Sequence, residues 1–380
     1  MKRINKLPQE LIPLSPPFIT TDEEKAVQKV LRSGILGLGK YLEAFEKSIA
    51  DFVGTKYAIA VSSGTAGLHA SVVTLGLKPG DEVITSPFSF VSSANAILYC
   101  QAKPVFVDID PETLNINPEN IESAITKSTK AILPVHIFGY PINYAKIKKL
   151  AEKYKLKIVE DACESLGATY KGKKVGNFGN LAVFAFYPNK QITTGEGGMI
   201  VTNNKEDYTL LKSLINQGRG DSGQWLSHDK LGFNYRMDEM SAAVGLMQMK
   251  KIKYILSSRK KAALYYKRIL KKNNLIKTLR DDDTVYSRSW QAFIVLLDKS
   301  IDRNKTMAIL KKNKIQSKPY LPSIHLQPYW KKINASAGRF PVSESTSASS
   351  LALPLYTDMK QSDIEKVCLS LEKAVERARR

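Results

Sequence analysis

From Lys56 to Asn203 the chain alternates short β-rich runs with helix-length segments, and no other feature narrows the choice of fold so far. The strand candidates are YAIAV (57–61), EVIT (82–85), PVFV (104–107), KAILPV (130–135), KIVE (157–160), LAVFAF (181–186) and MIVT (199–202). Between most of them lie segments such as TAGLHASVVTLG, PENIESAIT and YAKIKKLAEKYK, long enough for crossover helices. This alternation predicts an α/β fold with a mostly parallel seven-stranded sheet covered by helices on both faces. One interval departs from it. LAVFAF and MIVT are separated only by YPNKQITTGEGG, too short for a crossover, so that pair is expected to be antiparallel.

Beyond Asn234, YRMDEMSAAVGLMQMKKIKYI reads as one long helix leading out of this unit. SWQAFIVLL then reads as a strand, and RNKTMAILKKN and QSDIEKVCLSLEKAVERARR as helices of a smaller α+β domain. The chain has 380 residues, enough for both units. The expected division is a large domain over 1–250, including an N-terminal segment, and a C-terminal domain over 251–380.

A net charge of +21 raises the question of nucleic acid. The basic residues cluster in KKIKYILSSRKKAALYYKRILKKNN and LKKNKIQSKPY. The first has helical spacing, with Ile252, Ile255, Leu256, Ala263, Leu264 and Tyr266 forming an inner face, so its lysines read as a solvated outer face. No helix-turn-helix, zinc-finger or RNA-binding signature accompanies them. Neither nucleic acid nor membrane is expected as a partner: no apolar run approaches the ~20 residues that span a bilayer. The N-terminus lacks the apolar core of a secretory signal. Cys100, Cys163 and Cys368 stand at spacings that suit neither a disulfide framework nor a zinc site. These readings place the protein in the cytoplasm and predict no metal.

Three features point to chemistry. The strand YAIAV runs into SSGTAG, so Ser63, Gly64, Thr65 and Ala66 sit where a helix start presents free backbone N–H groups, a cradle suited to phosphate. Asp161 follows the apolar strand KIVE, at the end where ligands enter open α/β sheets. Lys190 lies in the connection FYPNKQITTGEGG, between an apolar strand and a glycine cluster. Burial there is expected to lower its pKa and free its amine to attack a carbonyl. A phosphate cradle, a strand-end carboxylate and a loop lysine together suit pyridoxal 5′-phosphate (PLP), which needs a phosphate nest, an anion at its ring nitrogen and an amine for its aldehyde.

The ordered series AVSSGTAGLHA, TSPFSFVSSANAILYCQAKPVFVDIDPETLN, PVHIFGY, VEDACESLGATYKGKKVGNFG, FYPNKQITTGEGGMIVTN, NYRMDEMSAAVGLMQM and PSIHLQPY makes the resemblance specific. The chain resembles the DegT/DnrJ/EryC1/StrS family of sugar aminotransferases over nearly its whole length. That implies the PLP-dependent transferase fold type I of aspartate aminotransferases. It also implies transfer of an amino group from an amino acid, glutamate in relatives, to a nucleotide-linked keto-sugar.

Position by position, Lys190 matches the lysine that holds PLP as a Schiff base, and Asp161 the partner of the ring nitrogen. Thr65 and Ala66 match phosphate-holding residues, and Phe90 an aromatic that stacks on the ring. Asn234 matches a residue that reaches the phosphate from a neighbouring subunit, which implies a homodimer with shared active sites. His325, His228 and Tyr187 are candidate substrate contacts. His136 and His69 are expected to be structural, and Glu196 to shape the turn after Lys190. Two positions depart from many relatives: Ala185 stands where a phosphate-binding serine is common, and Glu164 where glutamine or histidine lies near the cofactor's phenolic oxygen. Two other readings remain. A PLP-dependent sugar dehydratase of the same family carries histidine at the lysine position, so Lys190 argues against it. A non-catalytic regulatory protein that keeps the fold would have little use for an intact Lys190 and Asp161.

Overall fold

The computed structural model describes residues 2–6, 10–220, 227–333 and 339–379. Seven strands form the central sheet, in the order Tyr57–Val61, Gly198–Thr202, Leu181–Ala185, Lys157–Asp161, Thr129–Leu133, Glu82–Thr85 and Lys103–Phe106. These are the seven runs expected from the sequence, with ends shifted by one or two residues. Gly198–Thr202 is antiparallel to both of its neighbours, and the remaining pairs are parallel.

The sheet is apolar on both faces because its strands alternate between two helical layers. Ile59, Val61, Val183 and Ile200 pack with Leu68, Ala70 and Val72 of the helix Gly64–Val73. Ala58, Ala60, Phe184 and Val201 pack on the other side with Phe45 and Ile49 of the helix Lys40–Val53. Small alanines on that face let the phenylalanines of the neighbouring strand and helix interlock.

Three local expectations are corrected. PENIESAIT forms two short 3₁₀ turns, Pro118–Asn120 and Glu122–Ala124, in place of a helix. The segment after Asn234 forms two helices, Glu239–Met249 and Ile252–Leu270, broken where Lys251 turns inward; it is 3% exposed and bonds Thr20 and Glu23. In the basic helix, Ile252, Ile255, Ala263 and Tyr266 are buried as expected, but Leu264 is exposed. Arg259 takes an inner position instead, its guanidinium donating to the carbonyls of Trp290 and Gln291. That burial lowers its pKa to about 10.

A second, antiparallel sheet combines Ile276–Thr278, Phe293–Leu297, Ser350–Leu353 and Lys318–Pro319. Its core includes Tyr266, Phe293, Val295, Leu310, Leu351, Val367 and Leu371, from the strands and the helices Ile252–Leu270, Arg303–Lys312 and Gln361–Arg377. Ile252 and Ile255 lie instead in the core of the first sheet, so this long helix joins the two units. We propose that the units divide within this helix after Ile255, a few residues later than the expected 250, and that the N-terminal segment goes partly with the small unit, since Ile12 lies in its core. Among the described residues no helix is long and apolar enough to cross a membrane, and no His/Cys/Asp/Glu cluster has the makings of a metal site.

Candidate active site

The site is assembled at one end of the central sheet. Ser63 caps the helix Gly64–Val73, its side chain accepting the Ala66 N–H at 3.1 Å. By helix geometry the amides of Gly64 and Thr65 have no intrahelical acceptor, and they present the positive end of the helix dipole. The edge of the cradle is tight. A Cβ at Gly198 would fall 2.7 Å from the Ser63 carbonyl and 2.9 Å from the Gly64 nitrogen, so only glycine lets this strand pass the cradle. Ala185 presses against Gly64, where an added Cβ would stand 2.7 Å from its own.

From the cradle, polar contacts lead inward. Thr65 Oγ1 lies 2.8 Å from Ser92 Oγ, and the next residue, Ser93, donates to Asp161 Oδ2 at 2.6 Å. The Cys163 N–H donates to Asp161 Oδ1 at 3.2 Å, so both carboxylate oxygens are held and the 5%-exposed group has a fixed orientation. Ser93 Oγ also bonds the carbonyl of Phe90, which is 63% exposed although Phe88 and Ser89 just before it are buried. An open aromatic face beside an oriented aspartate and a helix start suits a flat, phosphorylated ring. These residues therefore fit PLP.

Lys190 sits in the turn after the Leu181–Ala185 strand, its N–H bonded to the carbonyl of Tyr187 at 2.9 Å. Its Nζ lies 3.3 Å from Glu164 Oε1, and both side chains are nearly buried. The second oxygen of Glu164 accepts the Phe138 N–H at 2.8 Å. This corrects one expectation. Burial does act to lower the Lys190 pKa, but Glu164, then Tyr320, Cys163 and Asp161, outweigh it and hold the group above the ordinary lysine range. In the free chain Lys190 is an ammonium paired with Glu164. Glu164 thus has a definite partner despite the departure from many relatives.

Tyr320 was missed by the sequence reading. It comes from the small domain, and its half-buried phenol, with a pKa raised by burial and by Glu164, faces the Lys190–Glu164 pair. A tyrosine 130 positions from the lysine carries no local signal. Ser92 and Ser93 were equally hidden, since a helix-opening serine pair reads as a cap.

The remaining candidates are dispersed. Tyr187 is half exposed at the rim. Asn234 is exposed on the segment whose Tyr235 carbonyl accepts the Ser62 N–H, beside the cradle strand, and no hydrogen bond joins it to the cradle among the described residues. His325 is buried, with Nε2 3.2 Å from Glu344 Oε1 and Nδ1 lacking a partner among the described residues. Its segment is tied to the Phe90 strand end by Ile324 N–H donating to Pro87 O at 2.8 Å. His228 is exposed, with Nδ1 2.9 Å from the Gln217 carbonyl. His136 is structural, locked between Glu160 and the Ile142 N–H. His69 packs among aromatic rings and bonds Tyr235 OH. Glu196 lies exposed at the turn, where its carbonyl, not its carboxylate, meets Thr194.

The doubly wound sheet, the helix-start cradle, and the facing lysine and aspartate define a PLP-dependent transferase of fold type I. The sequence matches the DegT/DnrJ/EryC1/StrS aminotransferase family over residues 17–372, and the chain belongs to that family. It is 34% identical to a GDP-perosamine synthase of Escherichia coli O157:H7, across 95% of this chain and 97% of that one. Among solved structures it resembles PseC of Helicobacter pylori, an aminotransferase involved in the biosynthesis of pseudoaminic acid. The TM-score is 0.91 at 28% identity, covering 97% of this chain and 100% of the other. It also resembles the PLP form of a protein described as a sugar aminotransferase from Streptococcus pneumoniae, with TM-score 0.93, 26% identity, and 97% and 99% coverage. The chain is thus a PLP-dependent nucleotide-sugar aminotransferase.

Proposed function

We propose that the enzyme moves an amino group from an amino acid, glutamate as family habit suggests, to a nucleotide-linked keto-deoxyhexose for surface polysaccharide, glycoconjugate or natural-product sugar synthesis. The observation that carries this reading is the buried contact of Lys190 Nζ with Glu164, beside an Asp161 held by Ser93. When bound, PLP supplies a ring that accepts the electron pair left as a carbon beside the amino nitrogen loses its proton. Asp161 is the fixed anion for the ring nitrogen. Ser63, Gly64, Thr65 and Ala66 would hold the phosphate, Phe90 would offer an aromatic face to the ring, and Glu164 would serve as the carboxylate beside Lys190. Lys190 Nζ takes and returns the proton at the reacting carbon. Tyr187, His325 and His228 contact the sugar nucleotide.

The test is the visible spectrum of the purified protein with PLP, before and after excess glutamate, repeated for Lys190→Ala. A band that forms through Lys190 and is converted by glutamate supports the first half of the reaction, and a panel of keto-sugar nucleotides then finds the acceptor. A band that ignores glutamate points to another donor or to a non-catalytic role. An equal band in Lys190→Ala refutes the assignment of the lysine.

We further propose that the working unit is a homodimer in which Asn234 completes the partner's phosphate site. Lys190→Ala and Asn234→Ala proteins, each impaired alone, should recover about one quarter of wild-type activity on random subunit mixing. No recovery would place Asn234 in its own subunit's site or outside both.

A further inference from the structure

The two reactive groups of the Lys190–Glu164 pair come from different loops, and one side chain spans them. Gln191, next to Lys190, donates through Nε2 to the main-chain carbonyl of Glu164 at 2.6 Å. The same nitrogen donates to Ser289 Oγ at 2.7 Å, and Ser289 Oγ donates to that carbonyl at 3.3 Å. Gln191 and Ser289 are 5% and 3% exposed, so water does not compete for these bonds.

The carboxylate end of Glu164 depends on the same neighbourhood. Its Oε2 is held by the Phe138 N–H, and the following residue, Gly139, accepts the Ser289 N–H at 3.0 Å. Gly139 has φ +79°, and a Cβ there would lie 2.5 Å from Ser289 Oγ and 3.0 Å from the Glu164 carbonyl. Arg288 donates to the Phe138 carbonyl at 3.4 Å. The 288–291 segment is itself fixed by Arg259 at the carbonyls of Trp290 and Gln291. The small-domain segment thus reaches Glu164 at both ends, directly at its main-chain carbonyl through Ser289 and indirectly at its carboxylate through the Phe138–Gly139 carbonyls that Arg288 and Ser289 bond.

We propose that Gln191 and Ser289 are positioning residues: they latch the Lys190 loop to Glu164 and fix the distance between the ammonium and the carboxylate. This rests on the reading of Lys190 as the cofactor-binding lysine. Capture of PLP requires Lys190–NH₃⁺ to give its proton to a base. The freed amine forms a C=N bond to the aldehyde carbon, and the aldehyde oxygen departs as water. The groups facing Lys190 are Glu164, Tyr320, Cys163 and Asp161, of which Glu164 contributes most to holding the proton. A loosened Glu164 holds it less tightly, so the amine becomes available at lower pH.

The test is the rate of appearance of the visible PLP band as a function of pH, with the covalent adduct verified by mass after borohydride reduction. Gln191→Leu and Ser289→Ala should each move the midpoint of the profile down by about half a unit or more, roughly a threefold gain in capture on its rising limb. Ser289→Thr, which keeps the hydroxyl, should restore the wild-type midpoint, and Glu164→Gln should shift it furthest. A lower melting temperature with an unmoved midpoint would overturn the proposal and leave a structural role only. If Gln191→Leu does not fold, Ser289→Ala, which removes one atom, carries the test. Absence of any band in the wild type would instead overturn the PLP reading itself.

Discussion

Among the described residues two Lys–Glu pairs are buried, and they are built differently. Lys251 is 3% exposed and meets Glu23 in a short contact, with Thr20 Oγ1 at 2.7 Å as a second acceptor. Glu23 is saturated, taking the Thr20 N–H at 2.9 Å, the Thr20 hydroxyl at 2.8 Å and Gln248 Nε2 at 2.6 Å. Lys190 has one side-chain partner, at 3.3 Å, on a carboxylate whose other oxygen is tied to a backbone N–H. Glu23 takes four bonds on its two oxygens and Lys251 gives two of its three N–H groups, so the pair has little left for another occupant and serves the fold. A lysine with a single longer partner keeps two N–H donors for another occupant. Bond saturation, more than burial, separates these two lysines.

The comparison breaks most visibly under truncation. Lys190→Ala should cost on the order of 10³-fold or more in amino transfer, with a smaller loss of melting temperature than Lys251→Ala because Glu164 has fewer bonds to lose. Lys251→Ala should do the reverse, losing about 3–5 kcal/mol of stability by stranding Glu23, with turnover per folded molecule unchanged. Assays of activity against folded fraction distinguish the two; a Lys251 variant that folds well but turns over slowly would dissolve the contrast.

A smaller effect separates the carboxylates by pH. Burial alone would raise the Glu23 pKa, but its bonds to Lys251, Gln248 and Thr20 bring it below the usual value. Its contribution is therefore present above the unfolded value of about 4.5 and is lost as pH falls through the folded pKa. Melting temperature followed from pH 6 down to about 3 should fall less steeply in Glu23→Gln than in wild type. Glu164→Gln should instead reveal itself in cofactor capture near neutral pH. Parallel acid profiles for Glu23→Gln and wild type would mean that the Lys251 pair is not what acid dissolves.

The parts of this organisation visible in the sequence were those with a local signature. The central strands are short and densely apolar, so YAIAV, LAVFAF and MIVT stood out, as did the connection too short for a crossover helix. The Ser63–Ala66 cradle, Asp161 and Lys190 each lie at a recognisable strand end, and the order of motifs carried the family. Contacts across the chain were not visible. Nothing near KKIKYI tells that Lys251 turns inward to Glu23, which breaks the expected long helix. Nor does anything near Lys190 tell that Glu164 outweighs burial, that Tyr320 approaches from the small domain, or that Ser289 reaches the Glu164 carbonyl. The charge state of a buried lysine depends on which neighbours folding delivers, and they lie 26 and 130 positions away in Glu164 and Tyr320.

The edge strand Tyr57–Val61 pairs with Gly198–Thr202, Tyr57 opposite Thr202. The cradle that follows this strand therefore leaves the ribosome long before the strand it needs beside it, and far ahead of the lysine. Closing so long a loop is entropically costly and slow. A nascent chain stopped short of residue 198 has the Ser63–Ala66 helix start but no sheet edge to seat it, so the ability to hold a cofactor is acquired late and all at once.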